Sequence, residues 1–394
     1  MIYRPLFTCL LLLACFCSYC QNDVLLVPDG VNLPPDSVTR SELLGSLRGW
    51  LGQKGAPAKE NEYITADELA TTAVFMDEIK GLDKRVKPND TSYYKCYLTS
   101  VTAMDSISFQ VQFAYMGERN ASPELRACCT VLAKQKDGKF YFSSPLQERT
   151  ANWKTKQIGN CVFHYKTELN VEKAGEYQKR VAFYDKKLSK VPQVIDYYCC
   201  NNFIEASRLL GVEYRSDYNG LAYEEYSGFA VNHTVVISGE KWVDNFSDWD
   251  PHDTWHGRLF DIVHSTTINR PVDEACAYLY GGSWRIYTPG KIMQLFRAYA
   301  DAHPDANWLA LYKDGTNFVP PPKILKISYA INALIVRELE REKGFPAVLE
   351  LLNCGKKENG DANYFAAVQR LTGVDEAGYN EYVWKLVKAI NSKG

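Results

Sequence analysis

Apolar residues are spaced differently in successive stretches of the chain. Residues 41–51 form a short amphipathic segment and residues 66–82 a longer one, both at the three-to-four-residue spacing of a helix. Thr65 followed by Glu68 is a capping-box pattern, which predicts where the longer helix starts. Between residues 92 and 144 the period shortens to two. Segments 92–101, 107–116, 127–135 and 139–144 read as antiparallel strands, and Lys136-Asp137-Gly138-Lys139 joins the last two through an Asp-Gly hairpin turn. The polar run at 147–152 reads as a connection.

Beyond it the pattern predicts a strand at 161–166, a helix over 171–189, a strand at 194–198 and a short helix at 203–210. A turn at Tyr218-Asn219-Gly220 and strands near Phe229 and Val235 follow. From Asp250 onward helical spacing dominates, with helices expected over 252–264, 272–280, 289–303, 323–342, 344–353, 361–371 and 376–391. Pro320-Pro321-Pro322 should hold the chain extended before the fourth of these. A length of 394 residues favours two folded units over one core. The expected architecture is therefore α+β. An N-terminal helix and antiparallel β domain would span 21–150, and a domain with a small sheet and a helical C-terminal lobe would span 151–394.

Composition changes this picture little. Hydrophobic residues are 46% and charged residues 23% of the chain, with 45 basic against 47 acidic side chains. No long like-charged run stands out, so charge gives no reason to expect nucleic acid or an anionic membrane as partner. The first twenty residues read as an export signal: Arg4 is the positive start, and residues 7–19 are largely apolar and uncharged. That stretch is too short to span a bilayer, so removal is expected rather than anchoring, and no later segment has transmembrane length. Leu12-Leu13-Ala14-Cys15 resembles a lipoprotein box that would leave a lipid tether on Cys15; cleavage near Cys20-Gln21 is the other reading. Of the twelve cysteines, eight lie beyond the signal. They form no C-x-x-C pair, so a zinc ribbon is not expected, and buried thiols are the plain reading.

The chemistry-bearing stretch is His252-Asp253-Thr254-Trp255-His256, followed by Glu274. Residues four apart share one face of a helix, so the two imidazoles can converge on one ion. Arg270-Pro271 reads as a turn, after which a second helix can bring the Glu274 carboxylate back to the pair. Two His and one Glu make the ligand set of a hydrolytic Zn2+ site, with a fourth position open. Each residue also has a plainer reading. The histidines could lie on the surface, Glu274 could face solvent, and Asp253 could favour the positive end of its helix. His264 lies off the ligand face and reads as packing or capping, and Trp255 and Tyr278 read as packing.

This segment resembles the gluzincin branch of zinc metallopeptidases, with the peptidase MA-like fold. Its signature is His-Glu-x-x-His followed some eighteen to twenty residues on by a third-ligand Glu. In that group the Glu typically stands in a Glu-Gly-x-Ala-x-Tyr context, and Glu274-Ala275-Cys276-Ala277-Tyr278 is similar. The stretch from Ser328 to Arg337 resembles the helix that carries an oxyanion-stabilising Tyr, which would be Tyr329. Glu342-Lys343-Gly344-Phe345 is similar to the closing helices of such domains. The likeness covers about residues 155–391, and the β unit before it lies outside. It implies an exported zinc metallopeptidase acting on a peptide or protein, with Asp253 as general base. The family has Glu at that position. Aspartate withdraws the carboxylate by one methylene, and ~1 Å of misplacement can cost ~10²-fold in rate. The alternative is a peptidase-like binding module of the cell envelope that holds its ligand without cutting it.

Overall fold

A computed structural model of the chain describes residues 24–84, 93–218, 225–230, 233–239, 249–260, 262–263 and 267–390. The expected export signal, the Asn219-Gly220 part of the expected turn and His264 lie outside these residues. The fold is mixed α and β, with a helical C-terminal region. Two compact units divide the chain.

The first unit holds the described residues up to Trp153, with Asn202–Val231 and Val235–Gly239. It opens with α1 (Ser37–Gly52), capped by Asp36, whose carboxylate accepts from the Thr39 N–H at 2.7 Å. Helix α2 (Leu69–Ile79) follows. Four antiparallel strands come next in sheet order: β1 (Lys95–Ala103), β2 (Ser108–Arg119), β3 (Ser122–Lys136) and β4 (Lys139–Ser143). Phe109, Val111, Phe113 and Tyr115 alternate inward along β2. Leu43, Leu47, Trp50 and Leu51 form the buried stripe of α1. Trp50 stacks on Phe75 of α2 and Phe142 of β4, fastening both helices to the sheet. At the β3–β4 turn Asp137 and Gly138 both take positive φ (51° and 74°), the conformation an Asp-Gly hairpin uses.

Two expectations here are corrected. The capping box at Thr65 does not form. Residues 65–68 make a turn, with the Glu68 N–H bonded to the Thr65 carbonyl, so α2 begins only at Leu69. The run at 147–152 is not a plain connection, since Leu146–Arg149 forms one helical turn, α3.

The second unit holds Lys154–Asn201, Asn232–Thr234 and the described residues from Trp249 onward. Strand β5 (Lys154–Ile158), unanticipated in the sequence, pairs antiparallel with β6 (Cys161–Tyr165). Helix α4 (Val171–Lys187) then leads to β7 (Val194–Cys199), which is parallel to β6. The chain next contributes α5 (Phe203–Leu210), β8 (Val212–Arg215) and β9 (Glu225–Ala230) to the first unit, with β8 pairing β3. The first residues of β10 (His233–Ser238) belong to the second unit. There Asp196 of β7 accepts from His164 of β6 at 2.6 Å and from His233 at 2.5 Å. Burial would raise the Asp196 pKa, but the two imidazoles outweigh it and hold it at about 2.

The remaining helices are α6 (Pro251–Phe260), α7 (Arg270–Tyr280), α8 (Pro289–Ala302), α9 (Trp308–Lys313), α10 (Ile327–Lys343), α11 (Phe345–Leu352), α12 (Ala362–Thr372) and α13 (Tyr379–Lys388). Between α9 and α10 a small hairpin, β11 (Asn317–Val319) and β12 (Leu325–Lys326), replaces the expected extended lead, and α10 starts at Ile327 rather than 323. Arg270 and Pro271 are likewise not a turn but the first residues of α7, where proline's missing N–H costs nothing. Helix α10 buries Ile331, Ala333, Leu334, Ile335 and Val336 and packs along α7 at the centre of this unit.

Helix α6 is fixed from the side of α4. Tyr184 donates to the Pro251 carbonyl at 2.9 Å, and buried Asp185 takes a two-point contact from Arg258 at 2.8 and 3.1 Å. Asp185→Ala should therefore lower unfolding stability by ~3–5 kcal/mol in chemical denaturation, because it removes the carboxylate that faces a buried guanidinium. A second expectation concerns pH. The folded-state pKa of Asp196 is depressed, so its contribution is complete above the unfolded value of 3.8 and is lost as pH falls through about 2. The stability gap between wild type and Asp196→Asn should be full at pH ~4 to ~5 and close toward pH ~2.

Candidate metal centre

The i,i+4 spacing of His252 and His256 places both rings on one face of α6, with ring centroids 4.8 Å apart. Helix α7 packs against α6 and presents Glu274 to that face. One ligand atom from each of His252, His256 and Glu274 lies within 4.8 Å of the others. His252 Nε2 is 3.3 Å from Glu274 Oε2, and His256 Nε2 is 3.8 Å from Glu274 Oε1. Ligands held at 2.0–2.2 Å around a tetrahedral ion are separated by about 3.4 Å, so the two histidine–carboxylate spacings suit such an ion, and the widest separation must shorten for all three to bind at once.

Each ring is oriented from behind. His252 Nδ1 meets the Gly282 carbonyl at 2.8 Å, and His256 Nδ1 meets Asp273 Oδ1 at 2.8 Å. A carbonyl only accepts, so His252 Nδ1 carries a proton and Nε2 is the nitrogen that faces Glu274. Asp273 imposes the same arrangement on His256. Asp273 is itself fully buried, accepting from Trp255 Nε1 at 3.3 Å and from Arg270 at 2.9 Å. His256 Nε2 is buried and has no hydrogen-bond partner. An orphaned imidazole nitrogen beside a carboxylate, with its other nitrogen held by a carboxylate, is the donor arrangement of a metal-ligating histidine.

The electrostatics agree. Burial would lower the His252 pKa, but the Glu274 contact, the Gly282 carbonyl and the nearby acids raise it to about 9. Burial would raise that of Glu274, yet His252, His256 and Arg270 hold it at about 2. Two lone pairs and an anion facing one another call for positive charge between them, from a proton or a cation. Arg270 also pairs with Glu274 Oε1 from the solvent side.

A cavity of about 350 Å³ opens beside the cluster, lined by His252 and Glu274 together with Asp250, Asp253, Tyr278, Ser283, Trp284, Ile324, Lys326 and Tyr329. Both further sequence candidates, Asp253 and Tyr329, thus face the space that His252 and Glu274 border. Asp253 is exposed there, while the surrounding protein and Asp250 raise its carboxyl above the ordinary range against the pull of His252, His256 and Arg285. Tyr329 packs edge-on against Tyr278 at 5.5 Å, and burial with the Glu274 charge lifts its phenol to about 12. Trp255 is core, packed on Tyr184 and Tyr280. Tyr278 lines the cavity, one helical turn beyond Glu274.

Sequence reasoning missed Asp273, Gly281-Gly282 and Lys326. The glycine pair is a packing necessity. A Cβ on Gly281 would lie 2.7 Å from the Pro251 carbonyl oxygen, and one on Gly282, at φ 90°, would lie 2.3 Å from that of Tyr287. The pair lets the end of α7 touch the start of α6, which puts the Gly282 carbonyl behind His252. The adjacent glycines were the available signal. Asp273 and Lys326 carry none apart from the fold.

No protein-family model matches the chain, and no curated protein or solved structure matches it either. Among the described residues no helix is long and apolar enough to cross a membrane.

His252→Ala, His256→Ala and Glu274→Ala should each abolish stoichiometric binding of a divalent metal, measured by elemental analysis after dialysis. Asp273→Asn keeps an acceptor for His256 but removes its charge, and should weaken metal affinity by ~10–100-fold in a competition titration.

Proposed function

We propose that this chain is an exported zinc-dependent hydrolase of peptide bonds, built on the gluzincin plan. The observation that carries the reading is the convergence of His252, His256 and Glu274 at a cavity that Asp253 and Tyr329 also line. The ligand chemistry favours zinc: two neutral imidazoles and one carboxylate from adjacent helices, without sulfur, leave a position free toward the cavity. When bound, zinc supplies Lewis acidity for polarising a carbonyl and acidifying a water.

The chain's own residues do the rest. The Asp253 carboxylate takes a proton from the attacking water as its oxygen bonds to the carbonyl carbon. It returns that proton to the amine nitrogen as the C–N bond breaks. The Tyr329 phenol donates a hydrogen bond to the oxygen on which negative charge develops. Asp273 and the Gly282 carbonyl hold the two rings in register throughout. The aspartate in place of glutamate sets a short reach, and this is where turnover depends most on geometry.

Cleavage of a quenched peptide library should be seen with the wild type, be removed by chelation and return with zinc. Asp253→Asn should reduce it by ~10²–10⁴-fold with zinc content unchanged. If zinc is bound and only Asp253→Glu cuts, the natural chain is instead a zinc-loaded binding module.

A further inference from the structure

Three carboxylates, Asp250, Asp253 and Glu274, and one lysine, Lys326, line the cavity. Among its acids, Asp250 lies 3.7 Å from Arg285, and Glu274 pairs with Arg270 and faces both imidazoles. Lys326 is different. It sits at the junction of β12 and α10, is half-buried, and lines the cavity. Its ammonium lies 5.3 Å from the centre of the Tyr329 ring. Among the described residues no carboxylate stands within ion-pair distance of it. Lys326 immediately precedes α10, and the first turn of that helix carries no acid. The Tyr329 ring gives the ammonium a cation–π contact but no lone-pair acceptor for its three N–H groups.

The same wall continues outward in one sign. Trp284 is fixed to it by the bond from its indole N–H to the Ile324 carbonyl at 2.9 Å, and Lys323 lies 4.7 Å from the Trp284 ring. The α6 side of the cavity contributes acids, Asp250 and Asp253, and the β12–α10 side contributes one cation, Lys326.

We infer that Lys326 is a specificity residue that binds a carboxylate of the substrate, so that the site selects peptides bearing negative charge close to the scissile bond. The inference rests on the hydrolase reading of the same cavity. The carboxylate can be a free C-terminus or an acidic side chain, and paired peptides separate the two. Binding is measured calorimetrically on the full chain with metal stripped by chelation, so that no turnover interferes. One pair is acetyl-trialanine with a free or an amidated C-terminus. The other has Glu or Gln in the middle of an otherwise neutral, doubly blocked tripeptide.

In one pair or the other, the wild type should bind the charged member about 10- to 100-fold tighter, the range expected for a charge-assisted hydrogen bond. Lys326→Met should erase that preference and Lys326→Arg keep it, with zinc uptake unchanged in both. Equal binding within both pairs, no binding of any peptide, or a preference that survives in Lys326→Met would overturn the inference. Zinc content and cleavage of an uncharged peptide report separately on the hydrolase reading. A protein that cuts neutral peptides without charge preference loses only the anion site.

Discussion

Two imidazole nitrogens and a carboxylate oxygen, largely shielded from water, are made to face one another by hydrogen bonds behind them. That constraint governs the helical unit. Because Asp273 and the Gly282 carbonyl hold the far side of each ring, the near nitrogens face Glu274. Lone pairs and an anion at 3.3 and 3.8 Å repel unless positive charge lies between them. The surrounding fold prevents relaxation. Arg258–Asp185 and Tyr184 hold α6 from the α4 side, and Gly281 lets α7 close upon it. The buried stem of α10 sets the position of α7. A proton on His252 or a bound cation relieves that repulsion, and the cluster could hold a metal ion.

The cavity extends this logic from binding to chemistry. Its residues come from separate elements: Asp253 from α6, Glu274 and Tyr278 from α7, Trp284 from the loop after α7, and Lys326 and Tyr329 from the entry to α10. Trp284 and Arg285 are consecutive non-glycine residues at positive φ, 57° and 56°, within a loop closed by reciprocal Ser283–Tyr287 hydrogen bonds. The loop directs the indole into the cavity wall and Arg285 toward Asp250. Backbone in a sparsely populated region beside a cavity is the kind of local cost that surrounding structure has to enforce.

Much of this was legible in the sequence for identifiable reasons. The strands of the first unit were readable because one face is buried, so apolar residues alternate, and the Asp137-Gly138 turn fixed their register. The helices after residue 250 were readable because they bury one stripe, and α10 because nearly all of its residues from Ile327 to Val336 are buried. The two histidines were readable as a pair because helical spacing puts positions four apart on a shared face, whereas Glu274 was reached through the resemblance, since the Arg270-Pro271 turn expected to return it is the start of α7. What escaped were features whose meaning depends on contact. Strands β11 and β12, at three and two residues, are too short for any period. Thr65 matched a capping pattern, but its backbone carbonyl is engaged in a turn that delays α2. Asp273 sits beside Glu274 on α7, and only the packing of α6 shows that it points inward to His256. Lys326 looks like any surface lysine until the cavity places it.

The most direct test of the central claim is X-ray absorption at the zinc K-edge on the purified, zinc-reconstituted protein. Expected is a first shell of nitrogen and oxygen at about 2.0–2.1 Å, with the outer-shell scattering of two imidazoles and no sulfur. A shell containing sulfur, or a spectrum of hydrated zinc without imidazole scattering, would contradict it.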